Sequence, residues 1–283
     1  MKQWKIGISA FAWTGQLDSS HLRLLPEIKE MGFDAFEIPM FDPADLDVGA
    51  IRQAYAASGL DCTICAILPV GINPISPDLD VRRRSKQHLA RCIETAGALD
   101  AKLLGGPLYA PIGYLPEHRP TDEEWDWAVD YFQSAARLLA VNRVTLSIEP
   151  VNRSETFFLR TARETKKLCE AIGHKHIGVT IDTFHANIEE RNIADAVRVL
   201  GPWLTHLHLS ENDRSLLGQG HIPFSEILAA LQDIQYGGYL MIEGFGYSSV
   251  EKTGPGVLWA EFNVSPKDIA LNGIQYLRRL QGN

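Results

Sequence analysis

Short apolar runs alternate with helical patterns along the whole chain. Eight such runs occur, and each is followed by a stretch in which apolar residues recur at helical spacing. This alternation of strand and helix predicts a parallel sheet that is covered by helices. The runs are residues 5–13, 35–40, 61–69, 101–109, 145–151, 177–186, 204–212 and 238–245.

The residues between these runs carry the signals of helix ends. Capping boxes are predicted where Thr121 precedes Glu124 and where Thr161 precedes Glu164. The other expected N-cap residues are Ser19 or Ser20, Asp45 or Asp47, Ser76 and Ser265, the last two of which precede a proline. The expected helix stops are Gly32, Gly59, Gly173 and Gly201.

Eight strand–helix units in one chain favour an α/β fold built as a single (β/α)8 TIM barrel. The chain has 283 residues, and such a barrel needs roughly 250. No Gly/Ser-rich linker interrupts it, so we expect one catalytic domain over residues 1–283. A doubly wound open sheet is the alternative, but it would need a glycine-rich turn after the first strand, where the chain has Ala10-Phe-Ala-Trp13.

Composition narrows the classes of partner. The net charge of −8 argues against non-specific nucleic-acid binding, which requires a positive surface. No apolar stretch is long enough for a signal peptide or a membrane span, so we expect a cytoplasmic protein without a membrane partner. Cys62 and Cys65 have the C-x-x-C spacing of metal and redox sites, but residues three apart on a strand point to opposite faces. We therefore expect buried, reduced cysteines.

Side chains alternate between two faces along each of the last four strands. In the seventh strand, Leu207 and Leu209 share the face expected to meet the helices, while His206 and His208 share the face expected to meet the barrel axis. Two imidazoles on one face of an apolar strand are either core histidines held by hydrogen bonds or ligands. The fifth, sixth and eighth strands have the same phase, with a carboxylate at the inward position near the C-terminal end.

Four inward polar residues are therefore expected to converge where barrel active sites are built: Glu149, Asp182, His208 and Glu243. Three carboxylates in one cleft disfavour each other's charge, so protons or a cation must compensate. Three carboxylates and one imidazole form an oxygen-rich set that suits Mn²⁺ or Co²⁺, with Mg²⁺ also possible. Each residue taken alone has the alternative of a structural polar role.

Further polar and aromatic residues follow these strand ends. Glu155, His185 and Arg214 lie in the loops beyond the expected metal site, where they could bind substrate oxygens. Trp13 and Phe11 after the first strand and Tyr109 after the fourth could form the wall of a sugar pocket. Core packing is the alternative for the aromatic residues. No nucleotide phosphate loop or nucleophile triad is evident.

At these positions the sequence resembles the xylose-isomerase-like barrel superfamily and, within it, the ketose 3-epimerases. The resemblance covers nearly the whole chain. It is strongest in Ser147-Ile-Glu-Pro-Val-Asn-Arg153, Gly178-Val-Thr-Ile-Asp-Thr-Phe-His185, His206-Leu-His-Leu-Ser-Glu-Asn-Asp-Arg214, Gly218-Gln-Gly220 and Gly237-Gly-Tyr-Leu-Met-Ile-Glu-Gly-Phe245.

The resemblance implies a divalent metal, usually Mn²⁺ or Co²⁺, on Glu149, Asp182, His208 and Glu243. It places substrate contacts on Glu155, His185 and Arg214, and it suggests a homodimer or homotetramer. The implied activity is C3 epimerisation of a free ketose such as D-fructose, D-tagatose or L-ribulose through an enediolate, with Glu149 and Glu243 as the acid and base.

Three other functions stay open from the sequence. One is a different metal-dependent enzyme of the same superfamily, namely a keto-inositol dehydratase, a hydroxypyruvate isomerase or an aldose–ketose isomerase. Another is an apurinic endonuclease, which would need more metal-binding histidines and a basic groove. The third is a sugar-binding protein without turnover that keeps its metal for structure.

Overall fold

Eight parallel strands close into a barrel in the computed structural model, which describes residues 3–246 and 264–282. Each strand pairs with the next in chain order, and the eighth pairs with the first. The predicted (β/α)8 barrel is thereby confirmed. The strands are β1 Ile6–Ser9, β2 Ala35–Met40, β3 Asp61–Ala66, β4 Leu103–Gly106, β5 Thr145–Ile148, β6 Ile177–Asp182, β7 Leu204–Leu209 and β8 Leu240–Ile242.

Helices follow the strands and cover the outside of the barrel. Within the described residues they are α1 Leu24–Glu30, α2 Val48–Ser58, α3 Leu79–Ala98, α4 Asp122–Ser134, α5 Ala136–Asn142, α6 Ala162–Ile172, α7 Thr183–Glu189, α8 Ile193–Leu200, α9 Phe224–Asp233 and α10 Pro266–Gln281. A search of the same residues finds no helix with the length and apolar character needed to cross a bilayer.

Most of the predicted helix ends are confirmed. Both threonine–glutamate capping boxes form, at the starts of α4 and α6, and Ser265 caps α10. The prediction for α3 was wrong, because Asp78 rather than Ser76 accepts the first free backbone N–H. Near residue 20 the cap is Asp18, and it begins a short 3₁₀ turn that leads into α1. In both places an aspartate close to the predicted serine makes the capping bond.

Most strands are shorter than the apolar runs that predicted them, whereas β2 matches its run of residues 35–40. β1 ends at Ser9, whose hydroxyl caps a 3₁₀ turn over residues 10–12. β6 ends at Asp182, whose carboxylate accepts the N–H of Phe184 and so begins α7 at once. The apolar character of each run continues into these turns because they are buried, so hydrophobicity alone did not reveal where the strand stopped.

The barrel has an apolar outside and a polar interior. Leu146, Ile148 and Leu207 are buried between the strands and the helices, as their predicted outward phase requires. Inside the barrel, the hydroxyl of Thr180 donates to that of Ser147 at 2.7 Å. A polar core of this kind must satisfy its own hydrogen bonds, because water is excluded from it.

The cysteines behave as predicted. All four are free and buried in the structure. Cys62 lies on the outer face of β3, where burial raises the pKa of its thiol to about 12 and the hydroxyl of Tyr55 is its neighbour. Cys65 lies on the inner face, near Glu149 and Glu243. The two thiols therefore cannot share a metal ion or form a disulfide with each other.

Candidate active site

An open cleft of about 380 Å³ lies at the C-terminal end of the barrel. The predicted positions Glu149, Glu155, His185, Arg214 and Glu243 form its polar lining. Its apolar lining consists of Phe11, Cys65, Ile67, Pro107, Ile112, Val151 and Phe245. The cleft thus has the composition of a small-molecule site, with a few charged groups that converge within an apolar pocket.

The residues predicted to bind a metal meet at the floor of this cleft. His208 is the centre of the group, and its Nδ1 lies 3.2 Å from Oε1 of Glu149 and 3.7 Å from Oε1 of Glu243. Asp182 joins them through Arg214, whose Nη2 donates to Asp182 Oδ2 at 3.1 Å and lies 3.5 Å from Glu243 Oε2. All four predicted residues are at most 4% exposed.

The charges of this group are not balanced by the protein alone. Burial raises the pKa of Glu243 to about 8, and the charges of Asp182 and Glu149 add to the rise despite the opposing His208 and Arg214. For His208 burial acts to lower the pKa, but Glu37, Glu149 and Glu243 together raise it well above its ordinary value. A cluster of buried carboxylates of this kind favours a compensating proton or cation.

The donor set fits a divalent cation. The ligand atoms of Glu149, Asp182 and His185 lie within 4.8 Å of one another, and so do those of Cys65, His208 and Glu243. The four predicted ligands are divided between these two adjoining groups. Carboxylate oxygens and an imidazole are suitable ligands for Mn²⁺ or Co²⁺. Neighbouring side chains already form hydrogen bonds to these ligands, as Glu37 does to His208 and Arg214 does to Asp182.

Asn152 connects two of the predicted substrate contacts. Its side-chain amide donates to Oε1 of Glu155 at 2.8 Å, and its backbone N–H donates to Nδ1 of His185 at 3.2 Å. Burial lowers the pKa of His185 to about 3, an effect to which Arg214 adds and which Asp182 opposes, so the ring is neutral. Asn152 is itself only 3% exposed, and it was not predicted as a site residue.

Arg214 is held between two aromatic rings. Its guanidinium carbon lies 4.2 Å from the ring centroid of Phe184 and 4.8 Å from that of Phe245. Its backbone φ of 58° is in the left-handed region, which a non-glycine residue adopts at some cost in strain. The stacking on both rings fixes the orientation of the guanidinium against Asp182 and Glu243.

Comparison with known proteins agrees with this geometry. A family model described as the xylose isomerase-like TIM barrel matches residues 25–280. The L-ribulose 3-epimerase of Mesorhizobium japonicum is 32% identical over 249 residues, which cover 88% of this chain and 84% of that protein. This chain belongs to the xylose isomerase-like TIM barrel family, among the ketose 3-epimerases. The resemblance predicted from the sequence is therefore confirmed.

Other members of the family are similar along almost their whole length. The D-psicose 3-epimerase of Ruminiclostridium cellulolyticum is 31% identical over 248 residues, which cover 85% of this chain and 84% of that protein. The crystal structure of a D-allulose 3-epimerase from Methylomonas sp. superimposes with a TM-score of 0.91 at 25% identity and covers 99% of both chains.

Two of the residues predicted to line the sugar pocket, Tyr109 and Trp13, do not line the cleft. Tyr109 is fully buried, and its hydroxyl donates to the carbonyl of Leu159 at 2.9 Å, so it supports the cleft from behind. Trp13 packs edge-on against Phe36 with ring centroids 6.0 Å apart. Neither is among the described residues that line the cleft, whereas Phe11, the third predicted aromatic residue, does line it. The chain turns after Ser9, so strand alternation does not extend to residue 13.

Glu37 is the most prominent residue that the sequence analysis missed. It projects into the barrel from β2, is fully buried, and contacts both histidines of β7. Burial acts to raise its pKa, but His208 and His206 together lower it below its ordinary value. Glu37 has the inward phase in the alternation of Ala35-Phe-Glu-Ile. It lies in the middle of β2, one layer below the strand ends that carry Glu149, Asp182 and Glu243.

Proposed function

We propose that this protein interconverts free ketoses and their C3 epimers by moving a proton at C3, with Mn²⁺ or Co²⁺ as the preferred cation and Mg²⁺ as a possible substitute. One observation carries the proposal. Glu149 and Glu243 come from β5 and β8 and converge on the same atom of His208, in a chain more than 30% identical to proteins named as ketose 3-epimerases.

The chemistry requires stabilisation of a carbanion. A proton next to a ketone is weakly acidic, and its removal leaves an enediolate whose negative charge lies mainly on the former ketone oxygen, next to the C3 hydroxyl. A divalent cation held by Glu149, Asp182, His208 and Glu243 would supply Lewis acidity for that charge. Arg214 and the ring of His185, whose Nε2 lies 3.0 Å from Arg214 Nη2, occupy the same end of the cleft, where they would bind sugar oxygens near the reacting carbon.

Inversion at C3 needs a base on one face of the sugar and an acid on the other. Glu149 and Glu243 project from two non-adjacent strands into one cleft, so a ketose between them meets a carboxyl group on each face. One carboxylate removes the C3 proton and the other carboxyl group returns a proton to the opposite face. The roles of the two residues exchange when the reaction runs in reverse.

Glu155 and Asn152 would act on substrate orientation rather than on proton transfer. The Asn152 amide holds the Glu155 carboxylate 4.0 Å from Nδ1 of His185, so the three residues form one polar edge of the cleft. Sugar hydroxyls both donate and accept hydrogen bonds, and this edge offers acceptors next to donors. Binding at several fixed points also keeps the reacting carbon between the two carboxyl groups.

The test is a panel of free ketohexoses and ketopentoses, incubated in deuterium oxide with Mn²⁺ or Co²⁺. The proposal expects one deuterium at C3 with partial inversion of that carbon, and no turnover after exhaustive chelation. Aldose products would instead indicate an aldose–ketose isomerase, and loss of water would indicate a dehydratase. Full activity after chelation would contradict the metal requirement.

A substitution separates an enzyme from a binding protein. Glu243→Gln removes one acid–base group but keeps the size and polarity of the side chain. We expect it to bind ketoses with similar affinity by calorimetry and to lose C3 exchange. The homo-oligomeric state and the cytoplasmic location stay predictions, the first of which sedimentation equilibrium would test.

A further inference from the structure

A buried hydrogen-bond network lies directly beneath the cleft. Its centre is the carboxylate of Glu37, which is fully buried inside the barrel. Oε1 accepts a hydrogen bond from Nε2 of His208 at 2.8 Å. Oε2 accepts one from Nε2 of His206 at 2.9 Å and one from the hydroxyl of Thr63 at 3.0 Å. Three donors therefore hold one carboxylate in a region without water.

This network fixes which edge of the His208 ring faces the cleft. A carboxylate only accepts hydrogen bonds, so the ring nitrogen that contacts Glu37 has to donate. Nε2 of His208 is thereby committed to Glu37, and Nδ1 is the nitrogen left to face Glu149 and Glu243. A ring turned over about its Cβ–Cγ bond would lose the bond to Glu37 and leave a buried carboxylate oxygen unpaired, which costs free energy.

His206 has no comparable second contact in the described structure. Its Nδ1 is buried and has no hydrogen-bond partner, while Nε2 donates to Glu37. The rings of His206 and His208 are nearly perpendicular, at 81°, with centroids 4.9 Å apart. The hydrogen bond from His206 therefore stabilises Glu37. His206 and Thr63 both donate to Oε2 of Glu37, and Oε1 is left for His208.

We propose that Glu37 is a positioning residue, held by His206 and Thr63, that aims Nδ1 of His208 at a divalent cation in the cleft. The inference rests on the proposed function only in that the cleft binds such a cation. Carboxylate partners of metal-binding histidines typically contribute about 10- to 100-fold to metal affinity. Glu37 would act through His208 and would not touch the sugar.

The test is a titration of chelator-stripped protein with Co²⁺ alone, followed by calorimetry and by visible absorption of the bound ion. We expect Glu37→Gln to raise the Kd for Co²⁺ about 10- to 100-fold and to change the absorption spectrum. The matched control is Glu124→Gln, which alters another buried glutamate, in the capping box of the outer helix α4. Its Kd for Co²⁺ should equal that of the original protein.

A second pair of variants keeps the test decisive if Glu37→Gln does not fold. Thr63→Val removes one donor to Glu37 without changing the size of the side chain, and Thr63→Ser keeps that donor. We expect a few-fold higher Kd for Co²⁺ in Thr63→Val and an unchanged Kd in Thr63→Ser. Equal Co²⁺ affinity and equal spectra in all folded variants would overturn the inference.

Kinetics distinguish positioning from a direct part in the reaction. If Glu37 acts only through His208, saturating Co²⁺ should restore most of the kcat of Glu37→Gln. A low kcat at saturating Co²⁺ with unchanged affinity would contradict the positioning role. Two Co²⁺ ions per chain in the original protein, one of which is lost in Glu37→Gln, would also contradict it, because Glu37 and His206 would then be ligands. Tight Co²⁺ binding without any epimerisation would overturn only the proposed function.

Discussion

The two halves of the barrel contribute different things to the cleft. Strands β5 to β8 end in Glu149, Asp182, His208 and Glu243, all of them ionisable. Strands β1 to β4 and the loops after them contribute Phe11, Cys65, Ile67, Pro107 and Ile112. Charge and chemistry are therefore concentrated on one half, while the other half provides shape.

This division has a physical reason. The ligands of one cation must converge on one point, and the C-terminal ends of the consecutive strands β5 to β8 bring them there. An apolar wall opposite them lowers the local dielectric constant and so strengthens the electrostatic interactions within the cleft. Substitutions on one half should change catalysis, and those on the other should change binding.

Glu37 is the exception that connects the halves. It lies on β2, in the apolar half, yet its carboxylate contacts His206 and His208 on β7. It crosses the barrel one layer below the cleft, where side chains from opposite strands meet. The apolar half thus supports the charged half from beneath without adding a charge to the cleft itself.

The largest effect is expected from the charged half. Glu149→Gln removes a carboxylate that lies 3.2 Å from Nδ1 of His208. Loss of a general acid–base group lowers kcat by about 10²- to 10⁴-fold, and we expect at least 10³ in both directions at saturating Mn²⁺. Steady-state rates with each epimer would measure it. Because an enzyme does not alter the equilibrium constant, kcat/KM must fall equally with both epimers. A loss below tenfold would contradict the acid–base role of Glu149, and Glu124→Gln serves as the unaffected control.

The backbone at the boundary between the two halves leaves no room for a side chain at Gly106. Gly106 ends β4 with a φ of 124°, and a Cβ there would lie 2.1 Å from the carbonyl oxygen of Ala66. We expect Gly106→Ala to lower the free energy of unfolding by about 2–4 kcal/mol through strain and steric overlap. Thermal or urea denaturation would measure the change.

The neighbouring glycine is the control for that substitution. A Cβ on Gly105 would meet its nearest atoms at 3.5 Å, which is ordinary contact, so Gly105→Ala should change stability by less than about 1 kcal/mol. Equal losses for the two variants would show that backbone conformation at Gly106 does not matter. Because the carbonyl of Gly106 accepts the N–H of Glu149, Gly106→Ala should also reduce activity.

The sequence predicted the charged half better than the apolar half. Strict alternation along β5 to β8 predicts the inward phase of Glu149, Asp182 and Glu243. Most of the apolar wall could not be predicted in this way, because Ile67 and Pro107 lie beyond the ends of β3 and β4, although Phe11 was predicted and does line the cleft. Loop conformation depends on local caps and turns, so alternation carries no information there.

Glu37 and Asn152 show two different reasons for a missed residue. Glu37 has the correct phase in β2, but a single buried glutamate gives no hint that two histidines lie across the barrel. Its partners on β7 are 169 and 171 residues away in sequence. Asn152 lies in the loop after β5, where only the tertiary structure brings it to His185.

Metal affinity should depend on pH in a defined direction. Without metal, folded Glu243 has a pKa of about 8, above its ordinary value of 4.5, so it contributes stability at low pH that is lost as pH rises toward 8. A cation needs the ionised form, so its binding releases a proton below pH 8. We expect the Kd for Mn²⁺ to fall at least about tenfold per pH unit between pH 6 and 8, because Glu243 releases one proton and His208, whose pKa is also raised, releases another from Nδ1.

Thermal melting with and without Mn²⁺ would measure this dependence. The gain in melting temperature on adding Mn²⁺ should widen from pH 6 to pH 8, because tighter binding stabilises the folded state more. Glu243→Gln removes one of the two titrating ligands, so the gain should become smaller and depend less steeply on pH. A constant gain in the original protein would contradict the assignment of Glu243 as a ligand.

The smallest effect is expected from the apolar wall. Ile67 lines the cleft beyond β3 and is half-buried, so Ile67→Ala removes apolar contact from the part of a ketose that does not react. Each buried methylene contributes up to about 0.8 kcal/mol, which predicts a three- to tenfold rise in KM with kcat changed less than twofold. A ketopentose has one carbon fewer to place against this wall, so its KM should rise less than that of a ketohexose.

Val70→Ala, at a fully exposed residue in the same loop, is the control and should leave both KM values unchanged. A fall in kcat with constant KM would mean that Ile67 acts on the reacting carbon, and the separation of chemistry from shape would then fail on the apolar half.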